Sequence, residues 1–236
     1  MGIKERHERD REAVRRAILD AARELFTSEG YQNVSIRKIA ERIEYSPAAI
    51  YSYFTNKDDI FFALAEEGFR ILGDPHNADH VGELESLQPL ARIRAIFWHF
   101  YQFSSQHPEY FALMFIDRTV PRISREYERF AFVRDMKASI IDEIGRCVAD
   151  GALPASVDPA AAMRALSAGI LGVAVLRVCD RMAPDEDADK MAANVLDLTL
   201  AGIKAGVPLQ PILNPDCASV DEPVTEPSVV SVRSSR

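Results

Sequence analysis

The chain has 236 residues, 47% apolar and 27% charged, which is typical of a soluble globular protein with one large domain or two smaller ones. Its 28 basic and 36 acidic side chains give a formal net charge of −8, which excludes a protein that coats nucleic acid or anionic membrane by bulk charge. Three widely spaced cysteines form neither a disulfide framework nor a zinc motif. The charged N-terminus and the shortness of the longest apolar stretch, 165–176, argue against a signal peptide and a membrane span. We therefore expect a cytoplasmic protein with no membrane contact.

Helical periodicity runs along nearly the whole chain, and no segment alternates as a strand does, so the predicted fold class is all-α. A first helix should end at Gly30, which can adopt the left-handed conformation that closes helices. Ser35 is the expected N-cap of a short second helix. Ser46 and Pro47 have the pattern of an N-cap followed by proline at the first helical position, which predicts a third helix to about Phe54.

Further helices are predicted from caps and prolines along the rest of the chain. They span Asn56 to Gly73, Pro89 to about Gln106, a short segment from Pro108, Pro121 to Gly151, Asp158 to Met182, and Asp187 to Ala205. A polar connection follows Gly73, and a proline-rich, non-periodic tail at 207–236 is expected to be disordered.

Three short helices within about 45 residues, with a tight turn between the second and third, predict a helix-turn-helix. The third helix would lie in the major groove, while Ile50 and Phe54 hold it to the bundle. Its outward positions are Ser46, Pro47, Ala48, Ala49, Tyr51, Ser52 and Tyr53. Tyrosine hydroxyls suit phosphate contact and alanine permits close approach, while Arg37 and Lys57 add positive charge. The alternative is an ordinary helical bundle whose tyrosines pack against a neighbour.

The segment from about residue 12 to residue 64 carries motifs that are more specific than a general helix-turn-helix pattern. The first helix has A-A-x-x-L-F-x-x-x-G-Y, the second has S-x-x-x-I-A, and the third ends in I-Y-x-Y-F-x-x-K. In these motifs the chain resembles the TetR family of bacterial transcription regulators. The resemblance implies phosphate contacts by Ser35 and Lys57, a base or phosphate contact by Arg37, and a recognition surface made by the third helix.

One position departs from the family pattern. Where the family usually has glycine in the turn of the helix-turn-helix, this chain has Glu44. Either Glu44 accepts a left-handed conformation at some cost or the turn is rebuilt.

The N-terminal residues form a second open question. Arg6, Arg9, Arg11, Arg15 and Arg16 suggest a minor-groove arm, but acidic residues interleave with them and form i,i+4 pairs. A solvated helical extension is the favoured interpretation, and a DNA-binding arm is the alternative.

For the middle of the chain, the resemblance implies a ligand pocket, and the aromatic residues between Phe97 and Phe132 allow one. The candidate ligand-binding residues are Trp98, His99, Tyr101, Gln102, Phe111, Phe115, Tyr127, Phe130 and Arg134. The alternative for each aromatic residue is that it simply fills the core. The segment favours a hydrophobic or aromatic effector.

The resemblance also implies a homodimer that is formed by the last two helices, about 158–205. The faces proposed for it are Met163, Leu166, Ile170, Val173 and Arg177 on one helix and Met191, Val195, Leu198 and Gly202 on the other. Two recognition helices about 34 Å apart would read an inverted-repeat operator.

The sequence thus predicts a DNA-binding domain at 1–57, a helical ligand-binding and dimerisation domain at 58–206, and the tail. Repression, with release by the ligand, is a tendency of the family.

No catalytic motif or cofactor loop is present. His76 and His80 have i,i+4 spacing but lie in a polar loop, so a metal site is not expected. The alternative function is a helical ligand-binding or interaction protein that has lost operator binding.

Overall fold

The computed structural model describes residues 3–73, 86–123, 126 and 128–210. Within these residues the chain forms nine α-helices and no strand, which confirms the all-α prediction. They are α1 (Ile3–Glu29), α2 (Ile36–Arg42), α3 (Pro47–Ile50), α4 (Lys57–Gly73), α5 (Pro89–Gln106), α6 (Pro108–Phe111), α7 (Ala131–Ala149), α8 (Pro159–Val178) and α9 (Ala188–Lys204). A 3₁₀-helix, Tyr31–Asn33, follows α1, and a π-helix, Ala112–Ile116, continues α6.

Helices α1 to α4 form an N-terminal bundle whose starts follow the predicted caps. Ser35 Oγ accepts a hydrogen bond from the Lys38 N–H at 3.2 Å, and Ser46 Oγ accepts one from the Ala49 N–H at 3.2 Å. Asn56 Oδ1 accepts one from the Asp59 N–H at 2.8 Å. The helices are held together by side chains with less than 5% of their surface exposed: Ile18, Leu19, Phe26, Ile39, Ile50, Phe54, Ile60, Phe61 and Leu64.

The turn between α2 and α3 places Glu44 in the left-handed region, with φ 60°. The Glu44 N–H donates to the Glu41 carbonyl at 3.3 Å, and the Tyr45 N–H donates to the Ala40 carbonyl at 2.9 Å. These two bonds make a Schellman motif, which usually has glycine at the left-handed position. The first of the two expected outcomes is therefore observed: Glu44 accepts the conformation that glycine adopts without strain.

In the C-terminal part, α5 packs against α7, α8 and α9, and α8 packs along α9. Helix α6 and the π-helix lie between this part and the N-terminal bundle, in contact with α1 and α4. The predicted helix starts at Pro89 and Pro108 are confirmed, and those predicted at Asp158 and Asp187 are each one residue before the observed start.

The helix predicted from Pro121 is wrong in its start, because α7 begins only at Ala131. Contacts with α4 hold the preceding residues: the Arg129 guanidinium bonds Asp59 at 3.0 Å, and the Phe130 ring lies 6.0 Å from that of Phe69. These tertiary contacts override the helical pattern of the segment. Helix α3 is also shorter than predicted, since Tyr51 to Tyr53 form a turn after Ile50.

The predicted dimer face of α8 is wrong as well. Met163, Leu166, Ile170 and Val173 are buried inside the protomer, each with no more than 6% exposed. Helix α8 is apolar on all sides, and by length and composition alone it could span a membrane, so the pattern could not select its inner face. The side exposed in the protomer carries Arg164, Ala168, Gly172 and Leu176, and Leu198 of α9 is also exposed.

Several predictions fall outside the described residues. The polar connection with His76 and His80, the candidate ligand residue Tyr127, and the predicted disordered tail from residue 211 onward are among them.

Candidate nucleic-acid interface

The recognition surface begins at the N-cap of α3 and continues through the turn after it. Ser46, Pro47 and Ala48 are exposed, Ala49 is half-buried, and Tyr51 is 57% exposed. On the opposite side, Ile50 and Phe54 are 0% and 4% exposed and fix the segment to the bundle. Tyr53 is half-buried. Five of the seven predicted outward positions are therefore exposed and present small side chains and one tyrosine: Ser46, Pro47, Ala48, Tyr51 and Ser52.

The start of α2 adds a cation next to this surface. The Arg37 side chain is 80% exposed, and its Nε lies 2.8 Å from the Glu41 carboxylate one turn along the same helix. This hydrogen bond raises the pKa of Arg37. An ion pair between exposed side chains contributes little stability, so a phosphate can replace Glu41 as the partner of Arg37 at small cost. Ser35, the N-cap, is exposed beside it.

Lys57 is placed differently from a surface cation. Its ammonium donates to the Tyr31 carbonyl at 2.8 Å and to the Val34 carbonyl at 3.0 Å. The same nitrogen lies 4.0 Å from the centroid of the Tyr31 ring, a cation–π distance. Lys57 thus fastens the start of α4 to the loop that leads into Ser35 and α2. Sequence reasoning missed this contact, since Lys57 and Tyr31 are far apart in the chain.

A polar network joins α1 of the N-terminal bundle to α4 and α6. Arg16 bonds Asp20 at 2.6 Å and Glu67 at 2.5 Å, and Arg23 donates to the Tyr110 hydroxyl at 2.8 Å. The bond from Arg16 holds the pKa of Asp20 below its ordinary value, so this carboxylate stays charged as the pH falls further than usual.

Helices α4 and α6 also approach closely at Gly68, where a Cβ would lie 3.1 Å from the Tyr110 ring. A second link to α4 is made by Arg129, which bonds Asp59 at 3.0 Å and Glu66 at 3.3 Å. Helix α6 and Arg129 are therefore in direct contact with the N-terminal bundle. The partners are distant in sequence, so their spacing gave no signal.

Three of the candidate ligand residues, Phe111, Phe115 and Phe130, lie in one aromatic cluster. The Phe111 and Phe115 rings are 5.1 Å apart. Phe69 of α4 joins this group to Phe130, with its ring 6.0 Å from both Phe115 and Phe130. Phe100 of α5 lies 5.4 Å from Phe115. The cluster thus has α4 on one side and α5 on the other.

Trp98 and Tyr101 lie on another side of α5, facing α8 and α9. The Tyr101 hydroxyl donates to Asp189 at 2.7 Å and accepts from Arg177 at 2.9 Å. Burial, with the hydrogen bond to Asp189, raises the pKa of Tyr101 to about 12. The Trp98 ring lies 5.2 Å from that of Tyr101. The structure therefore does not bring these two residues together with the aromatic cluster.

The remaining described candidates, His99, Gln102 and Arg134, are all half-buried. Among the described residues, no group of three or more histidine, cysteine or acidic side chains is arranged to hold a metal ion.

Comparison with protein families gives two matches. Residues 18–64 match the model of the bacterial regulatory proteins of the tetR family, and residues 93–199 match that of the tetracyclin repressor-like C-terminal domain. The HTH-type transcriptional repressor Rv1474c of Mycobacterium tuberculosis is 46% identical over 55 residues. That alignment covers 23% of this chain and 29% of the repressor, so the chain matches less than a third of its length.

Solved structures match over most of the chain. FadR of Bacillus subtilis, solved with stearoyl-CoA, has a TM-score of 0.64 at 16% identity and covers 79% of this chain and 98% of its own. AibR, solved with isovaleryl coenzyme A and operator DNA, has a TM-score of 0.58 at 20% identity and covers 78% of this chain and 96% of its own. These likenesses establish the fold. Both family matches show that the chain belongs to the TetR family of bacterial transcription regulators.

Proposed function

We propose that the protein is a homodimeric repressor that binds an inverted-repeat operator and is released by a small hydrophobic ligand. The observation that carries this proposal is the exposed side of α3, fixed by the buried Ile50 and Phe54. In the proposed division, residues 1–57 bind DNA, and residues 58–206 bind the ligand and the second protomer. The boundary falls at the first turn of α4, whose later turns contact α6.

The proposed DNA contacts follow from exposure and chemistry. Tyr51 donates its hydroxyl to a phosphate, and Arg37 exchanges Glu41 for a phosphate or a base edge. Ser46, Pro47, Ala48 and Ala49 let the backbone of α3 approach the groove, and Ser35 and Tyr53 contact phosphates at its edges. The net charge of −8 does not prevent DNA binding, because residues 1–57 carry 11 basic and only 9 acidic side chains.

The proposed dimer interface is the apolar side of α8 and α9 that the protomer leaves uncovered. Leu198 of α9 is 73% exposed and Leu176 of α8 is 39% exposed. The small residues Ala168 and Gly172, one and two turns before Leu176, allow the helices of a second copy to approach closely. A two-fold axis at this surface would bring α8 and α9 of both protomers into a four-helix interface. The same axis would place the two α3 helices so that each can enter one of two successive major grooves.

The proposed effector site is the aromatic cluster around Phe115. Its rings contact one another, so a ligand has to separate α6 and the π-helix from α4 or α5 to enter. FadR and AibR were solved with acyl thioesters of coenzyme A, which makes such thioesters the first effectors to test. Movement of α6 would act on α1 through Tyr110 and Arg23, and movement of Phe130 would act on α4 through the adjacent Arg129 and its partner Glu66. The ligand would then lower operator affinity by its differential binding to the two states.

The experiment has two stages. Operators are selected from random duplexes, and binding is followed by fluorescence anisotropy in the wild type and in Tyr51→Phe. We expect the variant to fold normally and to bind all sequences more weakly, because a phosphate contact carries no base preference. A panel of acyl-CoA thioesters of increasing chain length is then added to the complex, with free coenzyme A as the control. Release by the thioesters but not by coenzyme A supports the proposal.

A second candidate function, an interaction protein that has lost operator binding, is favoured only by Glu44 and the negative net charge. It predicts that no sequence is enriched in the selection. Normal affinity of Tyr51→Phe would instead refute the assignment of Tyr51 alone.

A further inference from the structure

The first turns of α1 stand apart from the rest of the bundle. Helix α1 begins at Ile3, whereas the match to the family model begins only at residue 18. Residues 5–13 are all exposed, and Val14 is the first side chain that packs against the core. At 1.5 Å per residue, the segment 3–13 is therefore a helix of about 16 Å that projects from the bundle.

Two arginines locate the base of this projecting helix. The Arg11 guanidinium carbon lies 6.0 Å from the centroid of the Tyr53 ring, and that of Arg15 lies 5.5 Å from the centroid of the Phe54 ring. Tyr53 and Phe54 belong to the turn that continues α3. Arg11 therefore lies beside Tyr53, at the edge of the proposed recognition surface, whereas Arg15 covers the ring of the buried Phe54.

Arginines lie on two opposite sides of the projecting helix, and acidic side chains lie between them. Arg11 and Arg15 are one helical turn apart, so they follow one side of the helix. At 100° per residue, the acidic Glu5, Glu8, Asp10 and Glu12 are rotated from Arg11 by roughly 60–120°, and Arg6 and Arg9 by roughly 140–160°. Glu12 lies 3.6 Å from Arg15 and is 69% exposed. The side that meets Tyr53 therefore carries Arg11 and Arg15, and Arg6 and Arg9 lie away from it.

We propose that the projecting part of α1 is an additional DNA-binding element, in which Arg11 binds a backbone phosphate beside the half-site contacted by α3. The proposal rests on the proposed function of α3. Contact with the Tyr53 ring holds the guanidinium at the edge of the recognition surface, and its planar set of donors matches two phosphate oxygens. Arg11 is exposed, so a phosphate can approach its guanidinium without displacing a packed side chain.

Such a contact adds affinity without base preference and extends the footprint of the protein beyond the half-site. Each phosphate contact contributes about 0.9 to the slope of log affinity against log salt. A dimer has two copies of Arg11, so Arg11→Ala should lower the slope by about 1.8. The loss of affinity between 50 and 200 mM salt should then be about tenfold smaller than in the wild type.

The test compares three variants on a selected operator by anisotropy at several salt concentrations. Arg11→Ala should lower both affinity and slope, and Arg11→Lys should restore the slope. The matched control is Arg9→Ala, which removes the same charge from the side of the helix roughly 160° away. The measurement is repeated on a duplex cut to the half-sites and on one extended by about one helical turn at each end. The wild type should prefer the longer duplex, and Arg11→Ala should not.

The outcomes separate this inference from the proposed function. Equal slopes for Arg11→Ala and the wild type, or equal losses for Arg11→Ala and Arg9→Ala, overturn the additional contact while α3 still binds the operator. A wild type that binds no sequence specifically overturns both. Circular dichroism checks folding, which the exposed position of Arg11 should leave unchanged.

Discussion

Replacement of Glu44 by glycine should stabilise the protein. Glu44 is the left-handed residue of the Schellman motif that ends α2, with φ 60°, and its side chain is exposed. In this conformation the Cβ of an ordinary residue crowds the following carbonyl, whereas glycine has no Cβ. The two backbone hydrogen bonds of the motif, from Glu44 and Tyr45, are unaffected by the substitution.

The expected gain is the difference between two opposing effects. A left-handed residue other than glycine costs about 1–2 kcal/mol, and glycine loses about 0.5–1 kcal/mol more backbone entropy on folding. The net stabilisation therefore lies between about 0 and 1.5 kcal/mol, and its midpoint of about 0.75 kcal/mol corresponds to a rise in Tm of roughly 1.5–3 °C for a chain of this size.

Glu44→Ala is the matched control, because it removes the same carboxylate but keeps the Cβ. Urea unfolding should rank the glycine variant above the wild type, with the alanine variant near the wild type. Both variants should bind DNA slightly more tightly, since each loses an acidic side chain near the phosphates. Glycine and alanine variants of equal stability would refute the assignment of strain to the backbone of Glu44.

Two further substitutions test other contacts. Lys57→Met removes the hydrogen bonds to the Tyr31 and Val34 carbonyls, so the free energy of unfolding should fall by about 1–2 kcal/mol, and Lys57→Arg should recover part of it. Unchanged stability in urea, together with a smaller salt slope of DNA binding, would instead identify Lys57 as a phosphate contact. Leu198→Glu places a charge in the proposed dimer interface and should give a folded monomer in analytical ultracentrifugation. A dimer that persists at micromolar concentration would exclude this face of α9.

The parts of the fold that the sequence predicted are those set by local chemistry. Caps such as Ser35 and Ser46, and prolines such as Pro89 and Pro159, mark helix starts because they act on the backbone next to them. The left-handed turn at Glu44 could be anticipated for the same reason.

The parts that it did not predict depend on contacts between distant residues. The start of α7 is set by Arg129 and Phe130 against α4, and the inner face of α8 is chosen by its neighbours because the helix is apolar on all sides. The candidate ligand residues shared an aromatic composition, yet Trp98 and Phe115 lie on different sides of α5. The composition therefore indicated which region holds the aromatic side chains, but not which of these side chains contact one another.

Binding of the purified protein to duplexes selected from a random pool tests the central claim most directly. We expect the enriched sequences to form an inverted repeat with half-sites about one helical turn apart. Two protomers or a multiple of two should bind it, with an affinity that falls steeply as salt increases. Enrichment of no sequence, or equal affinity for the selected and scrambled duplexes at every salt concentration, would contradict it.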